Sequence, residues 1–396
     1  MNSKKLFLIA ISIIVISVIS SCNSNLNENK KAKVIRTDTT AISIYKSISD
    51  TLTDEAVKKI EYLNTVARFI AGLPALVKSP LDTFYKTLAW KKYAKESVES
   101  WKKFNNYTKS IKQWSKTEIN PSVDSIKTLF YPFSGPDFLF ADMIFPKVEK
   151  IVMIGLESPG SIPQFDMSLM DSLHKVFNLY NTAIEDVINL SFFKTKNMKD
   201  ELSNKTINGT TPILMLFLAN SGKLILEVNP KNLNNEGKLV NVRKGSLNYS
   251  TVEIKYKNPG DSIIRTIYYL STNLADPALQ SNKPFRLFLK NIDNNCVSFV
   301  KSASYLMHKS YFSIIRKTIL NKSAFILQDD SGIAFKYYDR TQWNIQLYGI
   351  YQQPIDLFKE FYENDLNEAY QESQSKPLNF KMGYNSKANL LFAIKK

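Results

Sequence analysis

The chain has little histidine, cysteine or glycine: its 396 residues include two histidines, two cysteines and twelve glycines. Neither His174 nor His308 has a second histidine or cysteine at metal-ligand spacing, so a histidine- or cysteine-based zinc centre is excluded. Cys22 lies in the amino-terminal segment. Setting it aside leaves Cys296 alone, which rules out an intramolecular disulfide and a cysteine metal cluster. Cys296 reads as a small buried hydrophobe at the start of a strand. The dinucleotide-type glycine fingerprint is absent, and no GxSxG elbow marks a serine hydrolase. No basic run is long enough for a nucleic-acid patch, no repeat has solenoid length, and no low-complexity linker follows residue 35.

What is present begins with Lys4 and Lys5 ahead of an apolar stretch of 14 residues, Leu6 to Ile19. That is short of the roughly 20 residues a spanning helix needs, but it suits a signal-peptide core. Ile19-Ser20-Ser21-Cys22 follows and resembles the lipobox of bacterial lipoproteins. The resemblance implies that Cys22 is diacylated on its sulfur and becomes the mature first residue. The competing reading is a cleaved signal peptide with an incidental cysteine. Asn23 to Lys33, NSNLNENKKAK, is polar and suits a flexible tether. Residues 1–21 are therefore expected to be a lipoprotein signal peptide and 22–35 a tether. The protein would be held at a bacterial membrane of the cell envelope by acyl chains on Cys22, with its folded part outside the cytoplasm. The net charge is +16, or +14 once Lys4 and Lys5 are removed. Attraction to anionic lipid or glycan would explain it, as would a general Lys/Asn/Ile bias. An exported protein is expected to have no nucleic-acid partner.

The central unit is Ile126 to Gly160. Thr128 to Phe133 is an apolar run stopped by Ser134-Gly135-Pro136-Asp137, and Lys150 to Leu156 is a second, stopped by Glu157-Ser158-Pro159-Gly160. Asp137 to Phe145, bounded by Pro136 and Pro146, reads as a short helix between them. A helical crossover makes the two strands parallel, and parallel strands are covered on both faces, which accounts for unbroken apolar runs. Ligands of such sheets bind beyond the strand carboxyl ends, where Ser134, Asp137 and Glu157 would sit. An acid after the second strand resembles the ribose-binding acid of Rossmann-like domains, although the glycine fingerprint is missing.

Around this unit, residues 36–125 read as a helical region. Thr53 to Gly72 is an amphipathic helix, and a second helical run extends from Ser79 to about Trp114 with Phe84, Leu88, Tyr93, Val98, Trp101 and Phe104 at helical rhythm. These aromatics suit a layer packed on the core or, alternatively, a membrane- or glycan-contacting face. Residues 126–396 are expected to form one α/β domain. In it Phe165 to Leu190 is a helix with His174 at its edge, and Thr251 to Leu270 is an antiparallel hairpin at the sheet margin. Pro212 to Leu218 and Lys223 to Val228 are apolar runs whose type the pattern leaves open. Cys296 to Gly332 repeats the opening logic: strand Val297 to Val300, helix Ala303 to Leu320, strand Ala324 to Gln328, then Asp329-Asp330-Ser331-Gly332. Asn344 to Tyr351 is a strand, Ile355 to Ala369 a helix, and Asn389 to Ile394 a closing strand behind Gly383-Tyr384-Asn385. The fold class is α/β, a Rossmann-like mixed and mostly parallel sheet with an antiparallel edge hairpin, preceded by a helical layer. A series closed by such a strand resembles the methyltransferase-type variant of the Rossmann-like fold. The stretches ARFIAGLP, YPFSGPDFLFADMIFP, GLESPG, KSASYLMH, FILQDDSG and YGIYQQPI resemble a group of bacterial lipoproteins to which no activity is assigned.

Four carboxylates, Asp137, Glu157, Asp329 and Asp330, fall at strand carboxyl ends. They could bind a divalent cation, or divide into proton donor and acceptor if burial and repulsion separate their pKa values. They equally suit helix caps and strand stops. His308, four residues after Ser304 on one predicted helix, is the candidate base, with a buried core histidine as the alternative. Tyr131, Ser134, Lys301, Ser302 and Ser331 are the candidate ligand-binding residues. The first functional expectation is an anchored protein binding a small-molecule, anionic or glycan ligand at this edge. The alternative is a hydrolase, metal-assisted or using paired carboxylates, and the third a methyltransferase-like enzyme. The sequence specifies no metal and no cofactor. The opening and late units are expected to converge, placing Asp137 and Asp329 beside one pocket.

Overall fold

The computed structural model describes residues 53–190, 208–243, 245–246, 248–384 and 387–396. The expected signal segment and tether, with Cys22, and Asn385 before the closing strand, lie outside the described residues. Two units are distinguished, the smaller containing residues 1–58 and 259–261 and the larger containing 59–258 and 262–396. Of the smaller, the described part is the start of one helix and a turn. The larger carries the sheet, and in it the helices before residue 126 share one hydrophobic core with the first strands, so they are a layer of the same body.

Among the described residues ten strands form one sheet: β1 (Thr128–Tyr131), β2 (Lys150–Gly155), β3 (Leu224–Leu233), β4 (Leu239–Asn241), β5 (Thr251–Lys257), β6 (Ile264–Ser271), β7 (Cys296–Val300), β8 (Ser323–Gln328), β9 (Trp343–Gly349) and β10 (Asn389–Lys395). Their spatial order is β4-β3-β5-β6-β2-β1-β7-β8-β10-β9. The middle five, β6-β2-β1-β7-β8, run parallel. Numbered by their sequence within that block, they read 3-2-1-4-5, the doubly wound Rossmann-like order. Both flanks are antiparallel. Antiparallel pairs number five of nine, so the sheet is mixed with a parallel centre and is not mostly parallel. The β5–β6 hairpin is not an edge either. β6 pairs with β2, and β3 and β4 continue the sheet beyond β5.

The principal helices are α1 (Asp54–Ile70), α2 (Leu88–Tyr107), α3 (Phe138–Ile144), α4 (Leu173–Leu190), α5 (Thr211–Asn220), α6 (Asp276–Ser281), α7 (Lys283–Asn291), α8 (Ser313–Lys322) and α9 (Asn364–Glu372). Alternate strand residues feed two cores. Leu129, Tyr131, Ile151, Met153, Val297 and Phe299 point to one face with residues of α1 to α5, and Phe130, Val152, Ile154, Cys296 and Val300 to the other with residues of α6 to α9. The central strands are thus buried on both sides, as their unbroken apolar runs require. None of the described helices is long and apolar enough to cross a membrane.

The helix expected from Phe165 opens as a 3-10 turn, Met167–Ser172, and is α-helical from Leu173; two further helix expectations need correction. The predicted helix Ala303 to Leu320 begins at Ser313. Ahead of it lie a loop and two short turns, because Ser302, Ser304 and Tyr305 have φ of 53°, 54° and 55° and Lys309 is extended. Ile355 to Ala369 likewise divides into a kinked 3-10 turn, Asp356–Phe361, and α9. The undecided pair resolves as helix α5 followed by strand β3.

Buried Asn64 joins the α1 face to the sheet. Its amide donates to Ile225 O at 2.7 Å and Ile60 O at 2.8 Å, and its carbonyl accepts from Ile225 N at 3.0 Å. Leucine at this position would leave the backbone of Ile225 without these partners. Asn64→Leu is expected to lower stability by about 2–4 kcal/mol, read from urea unfolding midpoints, since each orphaned buried group costs roughly 1–3 kcal/mol.

Candidate functional site: the crevice at the strand-order reversal

After β1 the chain winds outward through β2 and β6, then returns to place β7 on the other side of β1. Helices therefore leave to opposite faces at the β1/β7 boundary, and a crevice opens beyond the strand carboxyl ends. A cavity of about 800 Å³ lies there. Its polar lining comes from the turn after β1 (Ser134, Gly135, Asp137), from Glu157 after β2, from Thr272 and Asn273 after β6, from Lys301, Ser302 and Ser304 after β7, and from Tyr384. Of the sequence candidates, Tyr131, Ser134, Asp137, Glu157, Lys301 and Ser302 line it. Asp329, Asp330, Ser331 and His308 do not.

The floor is a buried ion pair. Lys301 Nζ lies 2.8 Å from Asp137 Oδ2, and the two side chains are 1% and 3% exposed. Tyr131 donates to the same oxygen at 2.7 Å, while Asp137 Oδ1 caps α3 by accepting from Phe140 N at 3.4 Å. The ammonium also sits 4.0 Å from the Phe140 ring centroid. Burial pushes the Asp137 carboxyl above its usual range, and Lys301 pulls it back. Burial, with the carboxylate beside it, likewise raises Tyr131 far above an ordinary phenol.

Asp329 stands behind the cavity wall, so the expectation that it borders one pocket with Asp137 is corrected: the late unit lines the cavity with the loop after β7, not with the Asp329–Ser331 turn. Its Oδ2 accepts from Ser302 N at 2.8 Å, and its Oδ1 from Ser331 Oγ at 2.5 Å and Ser331 N at 3.1 Å. Ser331 Oγ in turn accepts from Ala303 N at 2.7 Å. Asp329 and Ser331 thus brace the Lys301–Ala303 loop, and burial raises the Asp329 pKa against those hydrogen bonds. The braced loop is strained. Four of the five non-glycine residues with positive φ among the described residues, Phe133, Ser302, Ser304 and Tyr305, belong to the loops after β1 and β7. Such conformations cost on the order of 1–3 kcal/mol each and persist where surrounding contacts over-determine them. Tyr384 supplies one contact, donating to Ser302 O at 2.7 Å and meeting Ser304 Oγ at 2.8 Å. Ser302 lines the cavity, and its Oγ is buried with no hydrogen-bond partner among the described residues.

Glu157 is 5% exposed and accepts from Tyr269 Oη at 3.2 Å. A Cβ at Gly155 would fall 2.4 Å from that Tyr269 oxygen and 2.7 Å from Glu157 Oε2, so glycine at the strand end lets the acid fold back over β2. Asp330 and His308 belong to a separate buried network. Tyr305 donates to Asp330 Oδ2 at 2.5 Å, and His308 Nε2 lies 3.8 Å from Glu363 Oε1. Burial lowers His308 to about 4 and raises Glu363 to about 8; burial and neighbouring Asp329 raise Asp330 to about 7. His308 is therefore a neutral core histidine. Ser304 shares no helix with it and pairs instead with Tyr384, so the serine–histidine reading is corrected. Among the described residues no three His, Cys, Asp or Glu side chains cluster as metal ligands.

Sequence reasoning missed Ser304 and Tyr384 as polar wall residues and the apolar side Phe133, Leu274, Phe312 and Leu357. Tyr384 left one signal, its place in the turn before β10 beside Gly383. Gly383 has φ +85°, and a Cβ there would come within 2.7 Å of Asp329 Oδ2.

The raised acids set a pH dependence. With folded-state values of about 7 for Asp330 and about 8 for Glu363, against ordinary carboxyl values near 4, the folded state binds more protons between those limits. Stability should therefore fall as pH rises from about 4.5 to 8. Asp330→Asn and Glu363→Gln should each flatten that slope, as urea midpoints at pH 5 and pH 8 will show. A slope unchanged in both variants would place the titration elsewhere.

No protein-family model matches the chain, and no curated protein or solved structure matches it either.

Proposed function

We propose that this is a lipid-anchored protein of the bacterial cell envelope whose α/β domain binds a small, neutral, hydroxylated ligand, a nucleoside or a sugar, in the crevice between the β1 and β7 loops. The observation that carries this reading is the cavity of about 800 Å³ at the strand-order reversal, with Glu157 at the end of the second strand. A carboxylate there is suited to accept from two vicinal hydroxyls, as the corresponding acid does for ribose in Rossmann-like domains. The charge balance argues for a neutral ligand over an anionic one. Lys301 is matched by Asp137, which leaves the Glu157 carboxylate facing the cavity. The same balance disfavours hydrolysis by paired carboxylates, because Asp137 is committed to Lys301, Tyr131 and the α3 cap.

A methyltransferase-like enzyme is the second reading, favoured by strand order. β10 enters antiparallel between β8 and β9, extending 3-2-1-4-5 to 3-2-1-4-5-7-6. Against it, the turn after β1 is Phe133-Ser134-Gly135-Pro136, with one glycine and with a proline that removes a backbone donor.

Envelope anchoring rests on the charged start, apolar core and lipobox-like approach to Cys22. Cys22→Ser should abolish acylation and leave unprocessed precursor; a variant still processed and requiring detergent would contradict it. For the site, calorimetric titration with adenosine, methyl glucoside and S-adenosylmethionine separates the readings. Binding of either neutral ligand that weakens about tenfold or more in Glu157→Gln fits a lost charge-assisted hydrogen bond of roughly 1.5–3 kcal/mol. Binding of S-adenosylmethionine alone favours the transferase, and binding unaffected by Glu157→Gln removes the proposed role of the acid.

A further inference from the structure

The cavity is two-sided. Its polar floor is described above, but the opposite wall carries Leu274, Phe312 and Phe358, and its rim carries Leu156, Ile355 and Leu357, which are 51%, 37% and 73% exposed. Large apolar side chains left open at a cavity mouth are unfavourable unless something covers them. Leu357 and Phe358 come from the Asp356–Phe361 turn, none of whose residues is buried and whose helical geometry breaks at Phe358. A volume of about 800 Å³ is near the upper end of the roughly 300–1,000 Å³ of drug-sized sites. A sugar or nucleoside occupying the floor leaves the apolar wall unfilled.

We infer that the ligand is an amphiphile: its hydroxylated head lies against Glu157 and Ser302, and a hydrocarbon tail runs along Phe312 and Phe358 and leaves over Leu156 and Leu357. The inference rests on the small-ligand reading and adds the tail. No charged side chain lines the apolar side, so the tail needs no polar partner. A membrane lipid and a soluble alkyl glycoside present the same chemistry to such a site.

The test uses the full chain in nanodiscs, titrated calorimetrically with methyl, butyl and hexyl β-glucosides, with empty nanodiscs as the blank. Affinity should rise with each methylene by up to about fourfold, the value for complete burial at about 0.8 kcal/mol per group. Leu357→Ser and Leu156→Ser should each reduce that increment. Glu157→Gln should weaken every member of the series alike. Binding of methyl glucoside with no dependence on chain length overturns the tail and leaves the small-ligand reading intact. A chain-length dependence that ignores both rim variants overturns the tail's path over the rim; absence of glucoside binding throughout overturns the inference, and adenosine binding that weakens in Glu157→Gln then leaves the small-ligand reading standing. If Leu357→Ser converts a dimer to a monomer in light scattering and chain length has no effect, the rim covers a second copy and the inference fails. Release of added hexyl glucoside by lipid-rich nanodiscs, but not by lipid-poor ones, assigns the site to membrane lipid; equal retention assigns it to a soluble amphiphile.

Discussion

The site depends on the ion pair between Lys301 and Asp137. These residues leave the carboxyl ends of β7 and β1, the two strands between which the winding direction reverses. Both charges are almost wholly withdrawn from water, so neither tolerates the loss of the other. The pair fixes the separation of the two loops that form the crevice floor. It also sets the floor's chemistry, because Lys301 offers no unmatched charge to an incoming anion. Tyr131 and the α3 cap hold Asp137 from the β1 side, and Asp329 holds the chain next to Lys301 from the β8 side.

The carboxylates therefore divide by role. Asp137 ties strands together, Asp329 braces a loop in left-handed backbone conformations, and Asp330 and Glu363 sit in a buried network where neutral forms are favoured. Glu157, supported by Tyr269 and by the absence of a Cβ at Gly155, is the acid whose neighbours leave it turned to the cavity. Four acids at one sheet edge resembled a catalytic group in the sequence; in three dimensions most of them hold the architecture that presents the fourth.

The centre of the fold was legible because strands buried on both faces leave continuous apolar runs, as in Thr128–Tyr131 and Lys150–Gly155, and because turn residues mark where they end. Ser134, Asp137, Glu157, Lys301 and Ser302 were legible as site residues from one rule, that α/β ligands bind beyond the strand carboxyl ends. The flank beyond β6 was not, because α5 is apolar on every side from Thr211 to Ala219 and so shows no helical period. The helix expected from Ala303 failed for another reason. Tyr305, Phe312, Ile315 and Ile319 are all buried and imitate a helical stripe, yet the first of them lies in a left-handed loop fixed by Ser331, Tyr384 and Asp329. The apolar rim was invisible because Leu156 and Leu357 reach one cavity only through tertiary folding.

The Lys301–Asp137 pair is the constraint on which the crevice rests, and a double-mutant cycle on unfolding free energy measures that directly. Lys301→Met and Asp137→Asn should each destabilise the protein by about 3–5 kcal/mol by stranding a buried charge. The double variant, with neither charge, should recover most of one single loss, a coupling of at least about 2 kcal/mol. Additive losses, or single variants as stable as the parent, would show that the two side chains do not depend on each other and that the crevice is held open by other contacts.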